Sequence, residues 1–248
     1  MSTRRALCVV LCVVLVAFAE PKPCTCSSNS LPGCVGEWAS QQGCTNATFT
    51  TMVGTIPSSI GSLSSISTLF IGSGELTGTI PPSLASVGGS SLRAITIKNA
   101  QLTGTLPQAL LPRAGLHTLC IHSQQLTGTI PIKWFDAPSM VLSTLAIDTQ
   151  RLHGTIPMGV AATNFPKLRK FSVSNNVLSG TIPSMLGSLT TVTNFQISNN
   201  VLSGSLPRSL SSLKNARFFF VGMHARTSAR ARVVWVVVSA CLLVCACA

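Results

Sequence analysis

Apolar residues recur along most of the chain at a fixed spacing. A four-residue motif, Gly-Thr-Ile-Pro or a close variant of it, appears seven times, and successive motifs begin 24 or 26 residues apart. From the second motif onward, apolar residues lie two, seven, nine and twelve positions before each glycine, and another lies three positions after each proline. A periodicity of this length predicts a stack of repeated units rather than one globular core. The motif glycines are Gly54, Gly78, Gly104, Gly128, Gly154, Gly180 and Gly204.

Each unit contains an apolar-x-apolar pair, such as Leu145 and Ile147, which predicts a short strand with alternate side chains pointing inward. The motif glycine permits a close backbone approach, and the proline ends strand pairing. No unit can bury its apolar face alone, so each depends on its neighbours. The period is that of leucine-rich repeats. We therefore predict a leucine-rich-repeat solenoid of about seven repeats, with short parallel β-strands on the concave face and loops, turns or 3-10 segments on the convex face.

The last two complete units, residues 168–183 and 192–207, resemble the plant-type class of leucine-rich repeat. They carry Asn176 and Asn200 at the position where that class has asparagine. The resemblance implies that the side-chain amide bonds neighbouring backbone and connects one repeat to the next. The earlier units carry Gly74, Ala100, Gln124 and Gln150 there. Glutamine can in part replace asparagine, whereas glycine and alanine have no side-chain donor and predict a less regular ladder.

The Thr-rich LTGTIP and LTGTLP units, between an N-terminal signal and a hydrophobic tail, also resemble the promastigote surface antigen family of kinetoplastid parasites. The resemblance covers about residues 34–217. It implies a non-enzymatic surface antigen that displays its repeats to protein or glycan partners. Plant receptor ectodomains and polygalacturonase inhibitors share the repeat, so a secreted inhibitor of an extracellular hydrolase is the alternative. The chain lacks the Ser/Thr-rich stalk that members of the antigen family often carry.

The two ends are typical of targeting segments. Residues 1–19 combine Arg4 and Arg5, an apolar run and small residues, which predicts a secretory signal peptide. Residues 233–248 form an apolar tail that would rise about 24 Å as a helix, short of the roughly 30 Å of a hydrocarbon core. The tail fits a removable glycolipid-anchor signal better than a retained membrane helix, and both interpretations stay open. We expect a membrane-attached protein at the cell surface.

Between these ends we predict a Cys-containing N-terminal cap at 20–53, repeats at 54–217 and a basic linker at 218–232. Four clustered cysteines in the cap predict two disulfides, with three pairings open: Cys24, Cys26, Cys34 and Cys44. Their spacing lacks the paired Cys-x2-Cys pattern of a zinc ribbon. Trp38 is expected to pack within the cap, and Asn46-Ala47-Thr48 predicts N-glycosylation at Asn46.

The net charge of the chain limits the classes of partner that it is expected to bind. The chain has 17 basic and 5 acidic residues, a net charge of +12, although five of the basic residues lie in or beside the targeting segments. The sequence does not interleave basic and aromatic residues in the pattern that is typical of nucleic-acid binding. Attraction to a polyanionic glycan or an acidic surface is consistent with this charge.

The strand residues between the inward-facing positions are predicted to line the concave face, the usual binding surface of a solenoid. Their side chains are small, polar and mildly basic, which suits protein or glycan contacts and indicates no cofactor or metal. The candidate binding surface consists of Arg93, Thr96, Lys98, Cys120, His122, Asp148, Arg169, Ser172 and Gln196.

Three of these residues, Cys120, His122 and Asp148, are types used in nucleophilic catalysis. Alternate residues of a strand lie roughly 6.5 Å apart, which is too far for a direct hydrogen bond unless the side chains lean together. An open sheet also offers no oxyanion hole. We therefore predict a polar patch and no enzymatic activity.

Overall fold

The computed structural model of the protein describes residues 33–35, 45–50, 52–72, 74–111, 114–123, 125–136, 138–148 and 151–221. The predicted signal peptide, Cys24, Cys26, Cys44, Trp38 and the hydrophobic tail lie outside the described residues, as does the linker beyond position 221.

The apolar-x-apolar pairs form one parallel sheet of eight strands in simple chain order. Equivalent positions of successive units are directly paired, so that Ile95 lies between Leu69 and Leu119. All three side chains are buried, because alternate residues of each strand point into the stack. The strands are β1 (Asn46–Phe49), β3 (Thr68–Ile71), β5 (Ala94–Ala100), β6 (Thr118–Ser123), β7 (Thr144–Asp148), β8 (Lys170–Ser172), β9 (Asn194–Gln196) and β10 (Phe218–Phe220).

This sheet extends beyond the predicted repeat region at both ends. Strand β1 lies within the predicted cap and pairs with β3, while β10 lies in the predicted linker and pairs with β9. The sheet therefore continues into the predicted cap and the predicted linker, because a strand needs only one neighbouring strand and not a complete repeat to join it.

A second row of pairing runs beside the motif glycines and was not predicted. Strand β2 (Gly54–Thr55) pairs with β4 (Leu76–Thr77), and isolated bridges continue the row in later units. The Thr103 N–H donates to the Gly78 carbonyl at 2.6 Å, and Thr127 repeats this bond with Gly104 at 2.7 Å. The LTG segments are thus a second set of contacts that ties each unit to the next.

The convex side confirms the predicted 3-10 segments. Each begins directly after a motif proline in extended conformation, with φ between −75° and −61°, because the ring keeps the chain extended before the turn. Residues after Pro157 form turns instead. The 3-10 helices are η1 (Ser58–Ser62), η2 (Pro82–Ser86), η3 (Gln108–Leu110), η4 (Ile132–Phe135), η5 (Ser184–Ser188) and η6 (Arg208–Ser212).

The motif glycines lie where a side chain would collide with the preceding unit. Gly128 has φ +84°, and a Cβ added there would lie 2.8 Å from the Thr105 Cγ2 methyl. Gly104 and Gly180 have the same relation to Thr79 and Thr155, at 2.9 Å in both cases. The Gly-Thr pair is therefore a stacking device in which each threonine methyl fills the space that the next glycine leaves.

The predicted asparagine ladder is present in the last two units. Asn176 donates its amide to the Ile147 carbonyl at 2.8 Å and accepts from the Leu152 N–H at 3.4 Å. Asn200 repeats the arrangement with Val173 and Leu178, at 2.9 Å and 3.1 Å. Both asparagine side chains are buried, so they satisfy backbone groups that water cannot reach.

Other side chains replace asparagine where the earlier units lack it. Ser123 donates its hydroxyl to the Ala100 carbonyl at 2.7 Å, next to a shift in strand register. Gln101 donates its amide to the Gly74 carbonyl at 2.8 Å. The weaker regularity predicted at Ala100 and Gly74 is thus offset by neighbouring residues.

The last motif has a more exposed third residue than the earlier motifs. The third motif residue is 2% to 5% exposed in the first six motifs, from Ile56 to Ile182, but Leu206 in the last is 41% exposed. Within the described residues no further motif stacks on Leu206, which explains the difference.

Candidate binding surface

The strand register places the concave-face residues in columns that run along the stack. The central column pairs Thr96 with Cys120, Cys120 with Ala146, and Ser172 with Gln196. A second column, one pleat further along the strands, pairs Lys98 with His122 and His122 with Asp148. The structure therefore brings Cys120, His122 and Asp148 to neighbouring positions on adjacent strands.

Two residues of the predicted surface are not accessible. Ser172 is fully buried and Asp148 is only 7% exposed, whereas Lys98 is exposed and Thr96, Cys120 and Gln196 are half-buried. The prediction that Asp148 and Ser172 offer surface to a partner is thus corrected. The side chains of Asp148 and Ser172 are turned toward each other by a hydrogen bond and are therefore not accessible to a partner.

Asp148 is the centre of a hydrogen-bond network that strand alternation alone did not predict. The Ser172 hydroxyl donates to its carboxylate, and the Ser174 N–H donates to the same oxygen at 2.9 Å. The ladder between β7 and β8 ends at Ala146 and Ser172, so the carboxylate takes over as acceptor beyond that point. His122 Nδ1 lies 3.8 Å from the second carboxylate oxygen. The two serines that follow Phe171 were the only sequence signal for this network.

The Cys120 thiol is free and half-buried. Burial raises its pKa, an effect that Lys170 and Lys98 partly oppose. A nucleophilic cysteine needs the reverse shift, because the thiolate is the reactive form. Within the described residues no hydrogen bond joins the thiol to His122, so the set lacks the contact by which a base activates a nucleophile.

Burial also lowers the pKa of His122, and the nearby positive charges of Lys170 and Lys98 act in the same direction. The Asp148 carboxylate opposes them. Burial disfavours the charged imidazolium, so the ring is neutral over a wider pH range than a free histidine. Among the described residues, no group of three or more metal-binding side chains accompanies it.

A third column, which we name the leading column, consists of the residue immediately before each strand of the eight-stranded sheet, from β3 onward. Backbone bonds of 2.7 Å to 2.8 Å connect its members, each N–H donating to the carbonyl of the preceding member. Arg93 and Arg169 were predicted to lie at this edge, whereas His117 was interpreted only as an exposed turn or strand residue and Arg217 was missed. Reading the repeat register would have found both. The leading column is Ser67, Arg93, His117, Ser143, Arg169, Thr193 and Arg217.

The Arg93 side chain is fixed in place. Its Nη1 donates to the Ser90 carbonyl at 2.9 Å and to the Gly115 carbonyl at 3.3 Å. The Gly115 carbonyl also accepts from His117 Nδ1 at 2.8 Å. A guanidinium has five N–H donors, so the remaining ones are free to meet a partner in a preset orientation.

Among the candidate residues near the N-terminus, the structure describes Asn46 and Cys34. Asn46 begins β1 and pairs in register with Thr68, and its side-chain oxygen accepts from the Ser67 hydroxyl at 3.4 Å. Cys34 is buried and disulfide-bonded. The described residues contain no helix that is both long enough and apolar enough to span a bilayer.

Comparisons with known proteins agree with this architecture. A profile of the family described as Leucine Rich Repeat matches residues 167–189. No curated protein matches the sequence at a significant level. Among solved structures, one match is the ectodomain of the plant membrane receptor kinase GASSHO1/SCHENGEN3 from Arabidopsis thaliana, in complex with CASPARIAN STRIP INTEGRITY FACTOR 2. It is 28% identical with a TM-score of 0.69, over 76% of this chain and 22% of that chain.

The chain folds as a leucine-rich-repeat solenoid. The PEPR1–AtPEP1 structure is 29% identical with a TM-score of 0.66, over 75% of this chain and 26% of that one. The Arabidopsis receptor kinase HAESA, in complex with the peptide hormone IDA and the co-receptor SERK1, is 25% identical with a TM-score of 0.65, over 76% and 31%. This solenoid therefore spans less than a third of the length of these three ectodomains.

Proposed function

We propose that this solenoid is a non-enzymatic binding protein of the cell surface, which presents its concave face to extracellular protein or glycan partners. The observation that carries the proposal is the face itself, an open sheet with half-buried small polar residues between exposed basic ones. Such a surface supplies many shallow polar contacts and no enclosed cleft. Two of the matched ectodomains were solved in complex with a partner, CASPARIAN STRIP INTEGRITY FACTOR 2 in one case and the peptide hormone IDA in the other, which supports a role in binding.

The ends of the chain support display outside the cell. The secretory signal predicted at 1–19 and the apolar tail at 233–248 fit a glycolipid-anchored surface antigen, as in the kinetoplastid family that the repeats resemble. The clustered cap cysteines suit an oxidising compartment, and Cys34 is disulfide-bonded. N-glycosylation at Asn46 belongs to the same proposal.

A glycan placed on the concave face tests the binding role. Gln196→Asn creates an acceptor with Ser198 on the half-buried central column, and Ser62→Asn creates one with Ser64 on the exposed end of η1. Both variants carry one added bulky glycan, verified by a mass shift on enzymatic deglycosylation. The wild-type chain is expected to bind saturably on an array of extracellular proteins and glycans. The concave glycan should abolish this binding, and the convex glycan should leave it intact.

Two results would contradict the proposal. One is a wild-type chain without saturable binding on the array, which indicates a purely structural coat component. The other is equal binding by both glycosylated variants, which puts the binding surface elsewhere. Inhibition of an extracellular hydrolase by the soluble chain would support the inhibitor alternative instead.

A further inference from the structure

We propose that the leading column binds a linear sulfated or phosphorylated glycan that lies along the solenoid axis. This deepens the proposed function, on which it rests, by naming the class of partner and the side of the concave face. The feature that carries it is exposed positive charge at three places along one backbone-connected column. Arg93, Arg169 and Arg217 are exposed members of this column, and Lys170 lies next to Arg169.

The geometry of the column suits an extended chain. Neighbouring strands are spaced about 4.8 Å apart, so Arg93 and Arg217, five strands apart, are separated by about 24 Å along the stack. Arg169 lies between them, about 14 Å from Arg93 and about 10 Å from Arg217. A partner with anionic groups at regular intervals would meet all three guanidinium groups, whereas a single small anion would meet only one.

No acidic side chain of the described residues balances this charge. Glu75 follows β3 at the opposite ends of the strands, and Asp136 follows η4 on the convex side. Asp148 is buried and accepts hydrogen bonds from Ser172 and Ser174. Among the described residues, the accessible charge on this side of the solenoid is therefore positive, which attracts polyanions.

The neighbouring surface favours a glycan over an acidic protein segment. Protein partners usually insert large apolar anchors into pockets, but the other members of the leading column include Ser67, Ser143 and Thr193, which have small hydroxyl side chains. Phe70, the large apolar residue of the central column, packs across Gly72 near the N-terminal end. Hydroxyls and exposed guanidinium groups, of which that of Arg93 is held by two backbone carbonyls, match the sulfate and hydroxyl groups of a charged sugar chain.

Immobilised heparin serves as the probe, with chemically desulfated heparin and poly-glutamate as comparison ligands. The full chain is expressed through a secretory pathway and purified in detergent. The test variant combines Arg93→Gln, Arg169→Gln and Arg217→Gln. The matched control combines Lys133→Gln, Arg151→Gln and Arg208→Gln, which removes the same charge from exposed residues outside the leading column. Thermal melting verifies that both variants are folded.

The wild-type chain is expected to bind heparin saturably and desulfated heparin weakly. The leading-column variant should lose about tenfold or more in affinity, because three exposed charge contacts are removed. Its slope of log affinity against log salt should fall by about three, one for each lost contact. The control variant should stay within about twofold of wild type, since its charges lie outside the column.

Three results would overturn the proposal. They are no saturable heparin binding by the wild type, equal losses in the two triple variants, and a column-dependent preference for poly-glutamate, which would identify an acidic protein partner. The Gln196→Asn array experiment separates these failures from failure of the proposed function. If the wild-type chain binds a partner on the array and the Gln196→Asn glycan abolishes that binding, while heparin binding is absent, the glycan assignment falls and the binding role stands.

Discussion

Replacement of Gly128 by alanine tests whether the Gly-Thr pairs hold the repeats together. At φ +84° an alanine is strained, at a cost of about 1 to 2 kcal/mol. The new methyl would also lie 2.8 Å from Thr105 Cγ2, about 1 Å closer than a favourable carbon contact. Overpacking of this kind costs about 1 to 3 kcal/mol. We therefore expect Gly128→Ala to lower the free energy of unfolding by about 2 to 5 kcal/mol.

The chain offers a matched control for the backbone strain alone. Gly54 has φ +98°, but a Cβ there would meet nothing within 4 Å. Gly54→Ala should therefore cost only about 1 to 2 kcal/mol. Thr105→Ser removes the methyl that Gly128→Ala would strike and keeps the hydroxyl, so the double variant should recover most of the contact penalty.

The assay is urea denaturation followed by far-ultraviolet circular dichroism for wild type, the three single variants and the Gly128–Thr105 double variant. A coupling energy of about 1 kcal/mol or more in this double-mutant cycle is expected, since the two side chains touch. The stacking role of the Gly-Thr pair would be refuted if Gly128→Ala cost no more stability than Gly54→Ala, or if Thr105→Ser restored none of the stability that Gly128→Ala loses.

Three further outcomes are expected. Asn176→Ala should lower the free energy of unfolding by about 2 to 4 kcal/mol in the same assay, because the buried Ile147 carbonyl loses its donor. His122→Gln should weaken the loss of thermal stability between pH 7 and pH 5. The folded state holds the pKa of His122 below the ordinary 6.5, so acid protonates the unfolded chain first and stability falls as pH decreases through that window. Phosphatidylinositol-specific phospholipase C should release the protein from intact cells, as expected for a glycolipid anchor.

Each of these three outcomes can be checked against a control variant or a result that would contradict it. Asn175→Gly changes the neighbouring exposed residue, whose φ of 56° suits glycine, and should be nearly neutral. An equal cost at both asparagines would contradict the ladder. An unchanged pH dependence in His122→Gln would contradict the role of its burial. Retention of the protein, while a known glycolipid-anchored protein is released, would indicate a retained membrane helix.

Much of the fold could be predicted from the sequence because its unit is short and repeated. The apolar pair, Asn176 and the Gly128 motif each satisfy a local requirement, and stacking places each beside its counterpart. The replacement of asparagine by Ser123 and Gln101 could not be predicted in this way. Those side chains bond to carbonyls of other units, and the Ser123 bond lies next to a register shift that strand alternation does not encode.

By itself the sequence determined the period, the inward positions and the column that each strand residue occupies, because a repeat in a solenoid contacts only its neighbours. Which residues of a column are accessible was decided by tertiary structure. Asp148 and Ser172 occupy exposed-looking positions, yet they are buried because they bond to each other. Arg217 lies in the leading column because β10 joins the sheet. Burial and charge balance depend on the side chains of several strands together, and no single repeat contains that information.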